Sequence, residues 1–275
     1  MKPRIAFIGS GNMARSLIGG LIADGWPASS ICASDPNAQQ RQSLLACWPE
    51  LEVTADNETA VLEADVLVLA VKPQVMAEVC LPLAKTVQKN RPLILSIAAG
   101  VRSADIDRWL GGQLAVVRSM PNTPALVGSG ATGLVRNTRV TDEQRDLAES
   151  ILRAVGMTVW LDDESLLDTV TALSGSGPAY VFLFIEALQE AGIELGLSQE
   201  TASILALETV FGAAKLALEA DEDAAQLRQR VTSPGGTTEQ AIAVLEQGGL
   251  RPLLAEALAS AKNRAGELAD QLGRQ

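Results

Sequence analysis

Five short apolar runs punctuate the first 120 residues: Arg4-Ile5-Ala6-Phe7-Ile8, Ile31-Cys32-Ala33-Ser34, Val66-Leu67-Val68-Leu69-Ala70-Val71, Leu93-Ile94-Leu95-Ser96-Ile97 and Ala115-Val116-Val117-Arg118-Ser119. Runs of this length without polar alternation are what strands covered on both faces look like. Between them lie helix-like stretches at 12–24, 37–47, 74–87 and 103–110, so the rhythm predicts a doubly wound, mostly parallel sheet. Two further strands, at 131–135 and 157–161, flank a helix at 141–155 and complete this first domain. After Asp162 the strand pattern stops. The rest reads as helices of about 10 to 20 residues, broken at 174–178, 196–198, 232–236 and 247–249 by Gly, Pro and Ser. Within it Tyr180-Val181-Phe182-Leu183-Phe184-Ile185 is apolar on all sides of a helix, which places it inside the domain or against another subunit. The expected class is α/β, with a sheet domain at 1–161 and an all-helical domain at 162–275.

Gly9-Ser10-Gly11-Asn12-Met13-Ala14 follows the first strand and opens a helix. It fits G-x-G-x-x-G/A, whose backbone N–H groups and helix dipole meet a dinucleotide diphosphate, and this context makes the first domain Rossmann-type. Asp35 closes the second strand 21 positions after Ala14. A carboxylate there accepts hydrogen bonds from an adenosine ribose, which favours NADH; it also suits the cap of the next helix. Ser34, Asn37 and Arg41 stand where a 2′-phosphate would be met, so the residues leave NADPH or NADH open. A second small-residue segment, Val231-Thr232-Ser233-Pro234-Gly235-Gly236-Thr237-Thr238-Glu239, starts a helix in the acidic half. It can hold a carboxylate on free helix N–H groups, or it is an ordinary turn capped by Ser233 or Thr237.

Composition narrows the chemistry. With 22 basic against 33 acidic residues, a net charge of −11 and 3% aromatics, the chain lacks the field and the stacking surface of a nucleic-acid binder. The imbalance is confined to residues 161–275, which hold 18 acidic and 7 basic side chains, whereas 1–160 hold 15 of each. There is no histidine, which removes a Ser-His-Asp triad, a histidine base and a histidine-bound metal. The only tyrosine, Tyr180, has Phe184 four positions on, so Tyr-x-x-x-Lys reductase chemistry is excluded. Lys215 and Lys262 are the only lysines of the helical half, and neither stands beside a glycine-rich loop, which disfavours lysine-dependent hydroxyacid dehydrogenases. Cys32, Cys47 and Cys80 suit reduced thiols, with no disulfide and no metal expected. With no unbroken apolar run near ~18 residues and no leader pattern, the expectation is a cytoplasmic protein without a membrane partner.

The chain resembles the pyrroline-5-carboxylate reductases from end to end. The resemblance rests on residues 7–14, Leu69-Ala70-Val71-Lys72-Pro73-Gln74, Ser96-Ile97-Ala98-Ala99-Gly100, Met120-Pro121-Asn122-Thr123-Pro124, Leu173-Ser174-Gly175-Ser176-Gly177-Pro178-Ala179-Tyr180 and Thr232-Ser233-Pro234-Gly235-Gly236-Thr237-Thr238. It implies an NAD(P)H-dependent reduction of 1-pyrroline-5-carboxylate to L-proline by a homodimer or larger assembly, with the helical domain serving dimerisation and substrate binding. It sets Ile8, Gly9, Ser10, Gly11, Asn12 and Met13 on the diphosphate, Ser34 and Asn57 on the adenosine side, and Val71, Lys72 and Ala99 near the nicotinamide. For the substrate it implicates Gly236, Thr237, Thr238 and Glu164, with the Thr238 hydroxyl on the ring nitrogen as the catalytic contact. This chain departs from many relatives in carrying Arg230 where they carry Asn.

Overall fold

A computed structural model of the chain describes residues 2–274. Eight strands form one sheet: β1 (Ile5–Ile8), β2 (Ile31–Ser34), β3 (Glu52–Thr54), β4 (Val66–Leu69), β5 (Leu93–Ser96), β6 (Val116–Met120), β7 (Gly130–Arg136) and β8 (Gly156–Trp160), ordered β3-β2-β1-β4-β5-β6-β7-β8. The first six are mutually parallel, β7 runs antiparallel to β6, and β8 is parallel to β7. All five apolar runs of the sequence are strands of the parallel part. β3 has no counterpart among the apolar runs, because a three-residue edge strand with an exposed Glu52 and half-buried Val53 and Thr54 leaves no buried run in the sequence.

Six helices accompany the strands: α1 (Asn12–Ala23), α2 (Ala38–Cys47), α3 (Asn57–Val61), α4 (Met76–Asn90), α5 (Ser103–Trp109) and α6 (Asp142–Arg153). The sheet's two faces feed separate cores. Ile5, Phe7, Val68, Leu95 and Val117 pack with Leu17, Leu21 and Ile151 on one side. Ala6, Ile8, Leu67, Ile94 and Val116 pack with Met76, Leu83 and Ile106 on the other. This alternation within each strand, buried on both sides, is the physical content of the unbroken apolar runs.

No strand follows Trp160 among the described residues. The chain continues as α7 (Leu166–Val170), a π-helical turn at Thr171–Gly175, α8 (Gly177–Glu194), α9 (Gln199–Glu219), α10 (Ala224–Arg230), α11 (Thr237–Gln247) and α12 (Leu250–Leu272). Two compact units result, one holding the residues up to Ser176 with those from Ser260 on, the other Gly177–Ala259. The division falls after α7 rather than after the last strand, because Leu167 and Val170 of α7 pack where a Cβ on Gly133 of β7 would stand. From Ser260 on, α12 adds Leu272 to the second core and pairs Asp270 with Arg102 at 2.6 Å.

Phe182, Leu183 and Phe184 of α8 are 48–66% exposed, so burial within their own domain is not how this apolar helix is accommodated. The stretches Leu166–Glu194 and Gln199–Glu219 are long and apolar enough, by length and composition only, to cross a membrane. Neither contains an unbroken apolar run of that length, because small polar residues and single charges such as Glu186, Glu208 and Lys215 interrupt the apolar side chains.

Candidate active site

The sheet order reverses between β1 and β4: the chain steps from β1 outward to β2 and β3, then crosses to the other side. Such a switch point opens a crevice at the carboxyl ends of the strands. Gly9 lies in it with φ +95°, and a Cβ there would stand 2.6 Å from the Ala70 carbonyl oxygen. Only glycine tolerates both the conformation and the approach. Gly11 precedes α1 as its cap without a side-chain hydrogen bond, and a Cβ on it would meet nothing within 4 Å. Ala14, the third position of the pattern, is buried against the core.

The crevice is a cavity of about 740 Å³ whose wall includes Ile8, Gly9, Ser10, Gly11, Ser34, Asp35, Asn57, Val71 and Lys72. Nine of the twelve expected cofactor residues are thereby brought together. Asn12 and Met13 stand in the first turn of α1. Ala99 lines a neighbouring cavity of about 400 Å³ with Pro73, Gln74 and Gly100. A second wall of the crevice, with no motif in the sequence to mark it, comes from Val75 and from α4 through Glu78, Val79, Pro82 and Leu83.

Hydrogen bonds refine which groups are free. Gly9 N–H donates to the Ser34 carbonyl (2.8 Å), and Ser10 N–H to Asp35 Oδ2 (3.0 Å). The N–H groups of these two residues, expected on the diphosphate, are therefore spent inside the turn. Those of Gly11, Asn12 and Met13 are free of intrahelical acceptors by their position at the helix start. Asp35 Oδ2 also accepts the Ser10 hydroxyl (2.8 Å), while Oδ1 accepts Asn37 N–H (2.9 Å). The cap of α2 is Asn37, whose side chain accepts from Gln39 N–H, so the capping alternative for Asp35 fails. Ser34 Oγ donates to Asn57 Oδ1 at 2.6 Å, which joins β2 to α3. Arg41 spends one guanidinium nitrogen on the carbonyls of Asp35 and Pro36. Asp56, also on the wall, caps α3; hydrogen bonds from the Thr59 side chain and the backbone of Thr59 and Glu58 hold its carboxyl below the ordinary value of 3.8.

Of the expected substrate residues, Gly236, Thr237 and Thr238 belong to the helical unit and Glu164 to the sheet unit. Gly236 caps α11 with no side-chain hydrogen bond, so neither Ser233 nor Thr237 closes the helix. Gly236 N–H itself donates to the Ser233 carbonyl (3.0 Å) and is thus a poorer anion donor than expected, whereas Thr237 and Thr238 open the helix. Gly235, at φ +72°, donates its N–H to Glu239 Oε2 (2.7 Å), which shapes the turn. Among the described residues the half-buried Thr238 hydroxyl has no partner. Glu164 is more committed: Oε1 accepts Ser103 N–H (2.7 Å) and Arg118 Nη1 (3.1 Å), and Oε2 accepts the Ser103 hydroxyl (2.7 Å). Three of about four lone-pair positions are taken. Lys215 is 59% exposed and 3.9 Å from Glu219, a surface pair. Burial pushes the Cys80 thiol up to about 12, and burial with the neighbouring Glu52 pushes Cys32 to about 11, which leaves neither as a nucleophile near neutral pH.

A mostly parallel sheet with a glycine turn at its switch point, walled by Ser34, Asp35 and Asn57, defines a Rossmann-type nicotinamide-nucleotide oxidoreductase. Residues 164–268 match the family described as pyrroline-5-carboxylate reductase dimerisation, and residues 4–100 match that described as NADP oxidoreductase, coenzyme F420-dependent. The pyrroline-5-carboxylate reductase of Pseudomonas aeruginosa is 53% identical over 271 residues, covering 98% of each chain. The chain belongs to the pyrroline-5-carboxylate reductase family. Among solved structures, the enzyme of Coxiella burnetii superposes with a TM-score of 0.93 at 49% identity, covering 98% of this chain and 99% of the other. That of Plasmodium falciparum, with NADP bound, gives 0.85 at 28% identity and 98% coverage of both.

Proposed function

We infer that this chain reduces the C=N bond of 1-pyrroline-5-carboxylate to give L-proline, with NADPH or NADH as the reductant. The carrying observation is the glycine-turn crevice within a chain that matches this family over its whole length. The residues fit a dinucleotide: the helix start of α1 is uncapped and Gly11 leaves open the space a Cβ would fill. Gly11, Asn12 and Met13 would hold the diphosphate on their N–H groups, Ser34, Asp35 and Asn57 would face the adenosine, and Val71, Lys72 and Ala99 the nicotinamide. The bound cofactor supplies hydride.

The protein's part in the reaction is positioning. A protonated cyclic imine already carries the charge that makes its carbon a hydride acceptor. Hydride addition leaves a neutral secondary amine that takes a proton from solvent, so no histidine is called for. Holding reactants in register is worth roughly 7 to 11 kcal/mol in well-oriented systems. Thr237 N–H, with Gly236 forming the turn, is assigned to the substrate carboxylate, and the Thr238 hydroxyl accepts a hydrogen bond from the ring N–H. Glu164 acts on the site from its bonds to Ser103 and Arg118 rather than as a free carboxylate.

The same reading makes the enzyme the last step of proline biosynthesis, a cytoplasmic homodimer or higher oligomer that binds neither nucleic acid nor membrane. The exposed apolar helices α8 and α9 support it, since they lie within the segment matching the dimerisation family and a second copy covers them without lipid. Oxidation of NADPH and of NADH is followed at 340 nm (~10⁻⁴ M cofactor, a scale that saturates typical sites) with pyrroline-5-carboxylate, then with hydroxy-acid and keto-acid controls. Turnover with the cyclic imine alone is the expected result; turnover confined to the controls overturns the reading.

A further inference from the structure

Arg118 is the one charged side chain among the buried described residues, 4% exposed in the middle of β6. A buried guanidinium costs more than an apolar residue of the same volume would, and stability alone does not favour keeping it. Its location is specific. On β6 it pairs in register with Ser96, the last residue of β5, at the carboxyl end of the sheet where the turns after β1 and β4 also lie. The segment leaving β5, residues 97–102, carries Ala99 and reaches the first turn of α5 at Ser103.

This segment is tethered at both ends. At its start, the Ser96 hydroxyl accepts Ala98 N–H (3.3 Å). At its end, Glu164 accepts both the N–H and the hydroxyl of Ser103 at 2.7 Å each. Arg118 Nη1 holds the same Glu164 oxygen that takes Ser103 N–H. Ala99 and Gly100 then face Pro73 and Gln74 across one cavity, directly after Lys72 of the crevice wall. Gly100, at φ +72°, bends the segment between Ala98 and Val101, which are buried in the second core, and the bond of Glu164 to Ser103 fixes where it ends.

We propose that Arg118 is a positioning residue for hydride transfer: through Glu164 and Ser103 it holds segment 97–102, and with it the wall against which the nicotinamide ring lies. The proposal rests on the cofactor placement inferred above. It separates the two halves of the cofactor site, because the adenosine half is built from β2 and α3, neither of which touches this network through a hydrogen bond.

The test uses the full chain with Arg118→Met, Arg118→Lys, Ser103→Ala and Glu164→Gln, folding being checked by circular dichroism. Dissociation constants for NADPH and for 2′-phospho-ADP, which lacks the nicotinamide, are read from tryptophan fluorescence. Turnover is measured with NADPH and with NADPH deuterated at C4. Expected for Arg118→Met and Ser103→Ala are NADPH binding weakened by about tenfold, 2′-phospho-ADP binding within about twofold of wild type, lower kcat and a larger deuterium effect. Arg118→Lys recovers part of the loss, and Arg118→Met with Glu164→Gln together lose no more than the worse single variant. Equal losses for both ligands, or folded variants with wild-type NADPH binding and deuterium effect, overturn the proposal. If Arg118→Met does not fold, Ser103→Ala decides, since it removes one hydroxyl and leaves the buried charge paired. A wild-type protein inactive on the cyclic imine refutes the inferred function, and the comparison of the two ligands then judges the clasp by itself.

Discussion

Asp35 serves the glycine turn before it serves a ligand. Its two oxygens take Ser10 N–H, the Ser10 hydroxyl and Asn37 N–H, so a single carboxylate joins the turn after β1 to the entry of α2. It also leaves an anion on the crevice wall, where a 2′-phosphate would be repelled. Asp35→Ser is expected to raise the ratio of kcat/KM for NADPH over NADH by about tenfold, near 1.4 kcal/mol. An unchanged ratio with both cofactors weakened would make it a strut alone. At the substrate loop, Thr238→Ala is expected to lower kcat/KM by about 10- to 100-fold, roughly 1.4 to 2.7 kcal/mol, without changing NADPH affinity. Wild-type turnover, or loss of cofactor binding instead, would remove the hydroxyl from the mechanism. The G-x-G-x-x-A pattern was readable because it is local. The commitment of Ser10 N–H to Asp35 was not, because its partner lies 25 positions away.

Among the elements, α3 has five residues and owes its existence to its cap more than to its length. Asp56 accepts Glu58 N–H (3.2 Å) and Thr59 N–H (3.1 Å) and so satisfies the helix start that also presents Asn57 to Ser34. Because its folded carboxyl titrates below 3.8, its stabilisation is present above that pH and is lost as the pH falls through the folded value. The melting temperatures of wild type and Asp56→Ala should accordingly differ at neutral pH and converge in acid. A gap that stays constant down to complete protonation would show that the charge is immaterial. Local capping of this kind is legible in a sequence, yet α3 and β3 were overlooked, since neither has an apolar face long enough to show a period. A signal for Arg118 was present: one charge inside an otherwise apolar strand run demands a partner. Which partner it takes, Glu164, only folding decides.

At the scale of the whole molecule, the helical unit exposes large apolar side chains that water does not reward. Phe182 is 65% and Leu183 66% exposed, and Phe211 on α9 is 64% exposed. Covering each such side chain is worth about 1.5 to 3 kcal/mol, so several of them supply an interface. Light scattering is expected to find at least twice the 28.9 kDa of one chain, and Phe182→Asp to shift the population toward single chains with loss of turnover. An active single chain at assay concentration would refute the shared assembly.

The sequence by itself determined the five parallel strands, the glycine turn between β1 and α1, and the end of the sheet after Trp160. Each is a local pattern: burial on both faces writes an unbroken apolar run, and a strand-to-helix turn around a diphosphate writes its glycines. Tertiary structure alone decided that β7 turns antiparallel, that three residues at 52–54 extend the sheet, that Asp35 grips Ser10, and that Glu164 joins Arg118 to Ser103. These depend on which distant groups meet across 13 to 61 positions, and local periodicity carries no information about partners chosen by three-dimensional packing.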